Sequence, residues 1–137
     1  MCLITNVYSQ DMMIPDSYLW KNRIILIFSD SSQKVSRKQL KTFASEHQEM
    51  LERELIVFNV GEGKVYQSQE VVATTGEADY LHNRYQVPKN QFRVILIGKD
   101  GGEKLRQDTL LSTDKLFAII DAMPMRRQEI RKRRGDG

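Results

Sequence analysis

The chain has 137 residues, of which 40% are hydrophobic and 28% are charged. These values fit one globular domain and exclude a disordered or fibrous chain. No apolar run approaches the roughly 18 residues that a membrane-spanning helix needs, so we expect no transmembrane segment. Cys2 is the only cysteine, which excludes an intramolecular disulfide bond.

The positive charge is concentrated at the C-terminus. The chain has 21 basic and 18 acidic residues, and residues 126–137 contain six of the former and two of the latter. The other 125 residues therefore carry 15 basic and 16 acidic side chains, which is close to neutrality. We attribute the net charge of +3 to the tail and expect no basic binding face on the rest of the chain.

Three apolar runs of strand length predict the centre of a β-sheet. They lie at residues 24–28, 55–60 and 92–97, and all are rich in branched side chains. Their hydrophobicity is continuous rather than alternating, which is typical of strands that are buried on both faces. A sheet covered by helices on both sides is therefore expected.

A helix is predicted between the first two strands. Ser36 and Gln39 have the spacing of a capping box, and the predicted apolar face is formed by Leu40, Phe43, Ala44, His47 and Leu51. This strand-helix-strand unit indicates parallel pairing with a right-handed crossover. Residues 61–76 are compatible with a loop that adds an edge strand near Val71 and Val72, or with irregular chain.

The second half of the chain predicts a helix at residues 77–85, a strand at 92–97 and an antiparallel return at 103–106. The Asp100-Gly101 pair favours a hairpin turn over a phosphate-binding loop, because here the glycines join two strands. Ser112 or Thr113 can cap a last helix, and Pro124 must interrupt it. A second, short basic helix is expected after Pro124.

The element order β-α-β, α, β-β-α matches the α/β thioredoxin-like fold, with a mixed sheet and helices on both faces. We expect three regions in the chain. Residues 1–18 form an N-terminal extension that we expect to be mobile, residues 19–123 form the thioredoxin-like domain, and residues 124–137 form a basic tail.

The predicted site lies after the first strand, where a thioredoxin carries Cys-x-x-Cys. Ligands of such sheets gather at the carboxyl ends of the parallel strands, and here the residues are Ser29, Asp30, Ser31, Ser32 and Gln33. They form either a polar turn or a contact for an anion or a protein partner. The run has no thiolate for disulfide exchange, and Gln91 stands where a thioredoxin has its cis-proline. We therefore predict no catalytic residue and no cofactor.

The histidines, the charged pair near the C-terminus and the basic tail do not indicate a catalytic or metal site. His47 and His82 fall on apolar helix faces and lack an evident third ligand, so no metal site is predicted. Asp121 can pair with Arg126. The tail offers contacts for a non-specific anionic surface through Arg126, Arg127, Arg131, Lys132, Arg133 and Arg134. Without a base-reading or stacking pattern, we do not expect nucleic acid to be the partner.

Four segments carry a family resemblance: WKNRIILIF at residues 20–28, ERELIVFNV at 52–60, VILIGKDGGEKLR at 94–106 and IDAMPMRRQEIRKR at 120–133. They closely resemble the family known as domain of unknown function 4174, which is found in bacteria and in animal sushi-repeat-containing and coiled-coil-domain-containing extracellular proteins. The resemblance implies a thioredoxin-like or peroxiredoxin-like fold with no established activity, and it places no catalytic residue.

The leading hypothesis is a non-catalytic thioredoxin-like domain that acts through contacts with an unknown protein partner. The first alternative is an oxidoreductase-like enzyme that uses Cys2 or a divergent site at residues 30–33. The second is non-specific binding of nucleic acid or an anionic surface by the tail. We expect a cytoplasmic protein if Met1 is the true start, and a periplasmic or extracellular one if a leader precedes it.

Overall fold

A six-stranded sheet forms the centre of the computed structural model, which describes residues 14–135. The strands are β1 (Arg23–Phe28), β2 (Leu55–Val60), β3 (Val65–Gln67), β4 (Glu70–Ala73), β5 (Arg93–Ile97) and β6 (Glu103–Gln107). Their order across the sheet is β4-β3-β2-β1-β5-β6. β1 pairs in parallel with β2, and all the other neighbours pair antiparallel. The sheet is therefore mixed, as predicted.

Six helices surround this sheet in the described part of the chain. They are α1 (Ile14–Ser17), α2 (Lys34–Ala44), α3 (His47–Glu52), α4 (Thr75–Arg84), α5 (Thr113–Asp121) and α6 (Pro124–Arg134). No helix among residues 14–135 has the length and apolar character needed to cross a membrane.

Alternation along the strands divides the core into two layers. On one face, Leu26 and Phe28 of β1 pack with Ile14 of α1 and with Ala78 and Leu81 of α4. On the other face lies a second layer that contains Ile25, Ile27, Phe43, Met50, Leu116 and Ile120. These residues come from β1, α2, α3 and α5, so helices cover both faces of the sheet, as the continuous apolar runs predicted.

Residues 61–76, whose structure the sequence left open, contain the hairpin of β3 and β4. The turn between these strands is formed by Ser68 and Gln69, which have φ angles of 52° and 70°. Two successive residues with positive φ are typical of a two-residue type I′ turn. Val71 is on the edge strand β4 and remains half exposed, while Ala73 is buried.

The helix after β1 begins earlier than predicted. It starts at Lys34, and Gln33 is its N-cap with φ 59°. Ser36 lies inside the helix, where its hydroxyl donates to the carbonyl of Gln33, so the predicted capping box is wrong. Gln39 is also buried, and its amide side chain forms two hydrogen bonds with the backbone of Leu111, at 2.9 and 2.7 Å.

The predicted apolar face of this helix is only partly correct. Phe43 is buried, but the chain leaves the helix at Ser45 and starts α3 at His47. This break changes the phase of the helix, so Met50 is buried while His47 and Leu51 are exposed. His47 is therefore a surface residue, contrary to its predicted place on an apolar face.

The C-terminal elements follow the prediction. Ser112 is the N-cap of α5 and accepts a hydrogen bond from the Lys115 amide at 3.1 Å. Pro124 is the first residue of α6, a position where a missing amide hydrogen costs nothing. Gly101, with φ 85°, forms the β5–β6 turn, and a Cβ there would lie 2.9 Å from Leu19 Cδ2.

Candidate functional site

The predicted site follows β1, at the end of the sheet where β1 and β2 both finish. Ser29 is buried, and its hydroxyl donates to Oδ1 of Asn59 on β2 at 2.7 Å. Asp30 is partly buried, and Ser31, Ser32 and Gln33 are exposed. The structure therefore places the predicted residues in one turn, but Ser29 faces the neighbouring strand rather than solvent.

Asp30 organises this turn. Its Oδ1 accepts hydrogen bonds from the Gln33 amide at 2.9 Å and from the Ser32 hydroxyl at 3.1 Å. The Ser32 hydroxyl oxygen in turn accepts from the Lys34 amide at 3.3 Å. An aspartate that accepts from the amide three residues later is typical of a helix start. These amides are therefore satisfied by side chains of the same turn.

Asn90 connects this turn to the loop before β5. Its side-chain oxygen accepts a hydrogen bond from the Ser31 amide, and Asn90 itself has φ 67°. The sequence predicted the counterpart of a thioredoxin's cis-proline in this loop, at Gln91, and the residues described here contain no cis peptide bond. The turn after β1 and the loop before β5 are thus joined by a neutral amide side chain. Sequence reasoning missed Asn90 because the contact spans 59 positions.

The chemistry available at this end is limited to hydroxyls, amides and one carboxylate. A serine needs an adjacent base to act as a nucleophile. Within residues 14–135, the hydrogen bonds of Ser29, Ser31 and Ser32 involve no histidine or lysine side chain. His82 lies elsewhere, buried on α4, where its Nδ1 is 2.9 Å from the Val87 carbonyl oxygen. Cys2 lies outside the described residues. Among residues 14–135, no three His, Cys, Asp or Glu side chains are grouped to hold a metal ion.

A second concentration of charge lies at the opposite end of the sheet, where β1 begins and β5 ends. Arg126, one of the predicted tail contacts, is buried here with 3% of its surface exposed. It forms the predicted ion pair with Asp121 at 3.0 Å. Asp121 also pairs with Arg53 at 2.8 Å, and the Arg53 guanidinium stacks on the ring of Phe117. Arg126 thus contacts the protein's own interior rather than solvent.

Glu129 of α6 pairs with three buried cations, of which Arg126 is the most distant at 3.7 Å. It lies 2.8 Å from Lys99 Nζ and 3.2 Å from Arg23, which is 1% exposed. Lys99 also pairs with Glu54. Burial raises the pKa of the Glu129 carboxyl, but the hydrogen bonds from Lys99 and Arg23 outweigh it and leave the pKa below its ordinary value. The pKa of Asp121 is lowered in the same way by Arg53 and Arg126 against the effect of burial.

Two of the segments that carry the family resemblance meet in this network. Lys99 comes from the IGKDGG string, and Glu129 follows the IDAMPMRR string by two residues. The pairs Lys99–Glu129 and Asp121–Arg126 attach α6 to the domain. The specific strings therefore contribute to a structural ion network in this chain.

The remaining predicted tail contacts lie on the outer side of α6. Arg127, Arg131, Lys132, Arg133 and Arg134 are all exposed. Arg133 pairs with Glu52 at 2.6 Å, and together with Lys132 these residues line a groove that also contains Leu51 and Glu54. The groove walls carry both signs of charge, so it is not a simple anion site.

Trp20 is exposed near this end of the molecule. Its indole side is open to water, with 67% of the residue surface exposed. Its backbone has φ 66° and its amide donates to the Lys99 carbonyl at 2.7 Å. A bulky residue in this left-handed region is strained, so the contact with Lys99 fixes the position of the tryptophan.

Sequence reasoning also missed a basic stripe on α2, formed by Lys34, Arg37, Lys38 and Lys41. All four side chains are exposed, and α2 contains no acidic residue. The spacing of three and four positions was readable in the sequence. The net charge outside the tail does not reveal this stripe, because acidic residues elsewhere in the domain cancel its positive charge.

Comparison with known families identifies the chain. The family described as Domain of unknown function (DUF4174) matches residues 14–129. The chain therefore belongs to the DUF4174 family. No curated protein gives a significant match to this DUF4174 domain.

Solved structures show the fold of the DUF4174 domain. It is similar to the reduced 2-Cys peroxiredoxin of Plasmodium vivax, with a TM-score of 0.59 and 14% identity over 82% of this chain and 83% of the other. The exposed lipoprotein thioredoxin Etrx1 of Streptococcus pneumoniae strain TIGR4 gives 0.59 and 14%, over 80% and 90%. A structure titled as a malarial protein gives 0.51 and 16%, over 73% and 94%. The fold is thioredoxin-like, as predicted.

Proposed function

We propose that this DUF4174 domain is a non-catalytic thioredoxin-like domain that acts through contacts with another protein. The observation that carries the proposal is the hydrogen bond between the Asn90 side chain and the Ser31 amide. It joins the two loops that would form a redox site, and it does so with an amide that can neither transfer electrons nor attack a disulfide.

The composition of the turn supports the absence of thiol chemistry. Thiol-disulfide exchange requires a thiolate, and residues 29–33 offer a buried serine, an aspartate, two exposed serines and a glutamine. The Asp30 carboxylate already accepts two hydrogen bonds within the turn. The polar groups at this end thus stabilise the local backbone, which is a role in folding rather than in catalysis.

The rigid scaffold supports a role in contact. All six residues of β1 are buried, and the ion network fixes α6 against the same sheet. Surfaces that are held in one conformation lose little entropy when a partner binds. A domain that keeps the framework without the reactive group is suited to recognition.

Turnover assays test this proposal. Purified protein is assayed for reduction of insulin disulfides with dithiothreitol, and for reduction of hydrogen peroxide with a thiol reductant. We expect both rates to equal the rate without protein, for the wild type and for Cys2→Ser. A rate clearly above the blank would contradict a non-catalytic role. Loss of that rate in Cys2→Ser would then assign it to the thiol, and its survival would assign it to the residues after β1.

A further inference from the structure

The exposed face of α2 carries four cations in one row. Lys34, Arg37, Lys38 and Lys41 have the spacing i, i+3, i+4, i+7, which places their side chains on one face over about 10 Å of helix. The opposite face of the same helix is buried through Ser36, Gln39 and Phe43. The row therefore points away from the core, along the helix that begins at the predicted site.

These four cations have no carboxylate partner among residues 14–135. None of the ion pairs within residues 14–135 includes Lys34, Arg37, Lys38 or Lys41. In this part of the chain, the one side-chain hydrogen bond of the row runs from Arg37 to the Gln33 side chain, at 3.4 Å. Several other surface cations do have carboxylate partners: Arg84 pairs with Asp16, Lys104 with Asp100, and Arg106 with Glu103.

The arrangement is unfavourable for the isolated domain. Like charges at i, i+4 repel each other, and Lys34 and Arg37 lie near the positive end of the helix dipole. A carboxylate from outside would relieve both effects, because it would supply the opposite charge where the helix itself carries none. The row is complementary to an acidic ligand.

An exposed leucine lies in the loop that packs against α2. The two hydrogen bonds between the Gln39 side chain and the Leu111 backbone hold the loop before α5 against α2. Leu111 is buried in the core, and the preceding residue, Leu110, has 45% of its surface exposed. An aliphatic side chain is therefore exposed close to α2 in addition to the row of cations, and an amphipathic acidic segment of a protein offers both carboxylates and an apolar face.

Other anionic partners fit the surface less well. Single-stranded nucleic acid binds where bases stack on exposed aromatic rings, and the one aromatic residue of α2, Phe43, is buried. Trp20 is exposed, but it lies two residues after Tyr18, which packs on the other face of the sheet from Phe43 of α2. A membrane surface requires several apolar side chains to insert, and α2 itself exposes no large hydrophobic residue.

We propose that the basic face of α2, formed by Lys34, Arg37, Lys38 and Lys41, binds an acidic segment of a protein partner. This inference rests on the proposed function and names the chemistry of the partner. Binding is electrostatic and is fastest at low ionic strength, since surface charges are screened by salt.

The test uses the full chain and a fluorescein-labelled synthetic helical peptide with four glutamates at i, i+3, i+4, i+7 and an adjacent leucine. The α2 variant is Lys34→Gln, Arg37→Gln, Lys38→Gln and Lys41→Gln. The matched control is Lys21→Gln, Lys64→Gln, Lys89→Gln and Lys104→Gln, which removes the same charge from exposed positions outside both α2 and the predicted tail contacts. Fluorescence anisotropy gives the dissociation constants, and circular dichroism verifies that both variants are folded.

We expect the wild type to bind the glutamate peptide, and to bind a glutamine version of it at least about tenfold more weakly. The α2 variant should lose about tenfold or more in affinity for the glutamate peptide, and the control variant should stay within about twofold of the wild type. Raising the salt concentration should weaken the wild-type complex.

Three results would overturn the inference: no binding of the glutamate peptide at low salt, an equal loss in both variants, or tighter α2-dependent binding of single-stranded DNA or of phosphatidylserine vesicles than of the peptide. None of these would affect the proposed absence of catalysis, which the insulin and peroxide assays test separately. A positive turnover assay would contradict the proposed function whatever the peptide does.

Discussion

Glu129 on α6 and Lys99 in the turn after β5 form an ion pair of 2.8 Å that joins the C-terminal helix to the β5–β6 hairpin. The same carboxylate neutralises Arg23, which is buried at the start of β1. The Glu129 side chain therefore neutralises two cations that precede it in the sequence by 30 and by 106 positions.

The first prediction concerns this carboxylate. Glu129→Gln should lower the free energy of unfolding by about 3 kcal/mol, because it leaves the buried Arg23 without a carboxylate partner among residues 14–135 and leaves Lys99 with Glu54 alone. Urea denaturation followed by circular dichroism measures the change. Glu49→Gln is the control, since Glu49 is half exposed and its surface pair with Arg53 is worth less than about 1 kcal/mol. Equal effects of the two substitutions would contradict the importance of the buried network.

The second prediction concerns acid stability. Asp121 and Glu129 have lowered pKa values in the folded protein. They therefore stabilise the fold above the ordinary carboxyl pKa of about 4, and this contribution is lost as the pH falls through the lower folded values. Glu77 acts in the opposite sense, because burial raises the pKa of its carboxyl against the hydrogen bond from the Ile14 amide. The stability that the protonated Glu77 contributes is therefore lost as the pH rises through this raised pKa.

Thermal unfolding between pH 6 and pH 2 tests this expectation. The wild-type melting temperature should fall in the acid range, and the Asp121→Asn, Glu129→Gln double variant should have a lower but flatter profile there. A wild-type profile that stays as flat as that of the double variant would show that these two carboxylates do not determine the acid sensitivity.

The third prediction concerns the core. Leu96 on β5 is fully buried between β1 and β6, where it pairs with Ile25 and Leu105. Leu96→Ala should therefore cost about 2 to 5 kcal/mol, measured by urea denaturation. Leu110→Ala is a matched control, because Leu110 is 45% exposed and should change the stability by less than about 0.5 kcal/mol. A loss well below about 2 kcal/mol for Leu96→Ala would contradict its place in the core.

Much of the sheet could be predicted from the sequence because its signals are local. The bounds of the predicted strands, 24–28, 55–60 and 92–97, agree with those of β1, β2 and β5 to within one residue. The cap of α5 could be narrowed to Ser112 or Thr113 because the hydrogen bond that Ser112 accepts comes from only three residues away. The Asp121–Arg126 pair was predicted for the same reason, since it spans only five positions.

The missed features depend on conformation or on distant contacts. The start of α2 is determined by Gln33 in a left-handed conformation, a state that its residue type does not predict. The Ser31–Asn90 and Lys99–Glu129 contacts join residues that only the fold brings together. The basic row on α2 had a readable period, but a charge total close to zero concealed it.

Trp20 is the only tryptophan of the sequence, and its largely exposed indole gives the protein a natural optical probe. It lies near Lys99, at the end of the sheet opposite the start of α2. An acidic peptide on α2 should therefore leave the tryptophan emission unchanged, whereas a molecule that covers the Lys99 end would shift or quench it. Intrinsic fluorescence can thus report which end of the domain is occupied without any label.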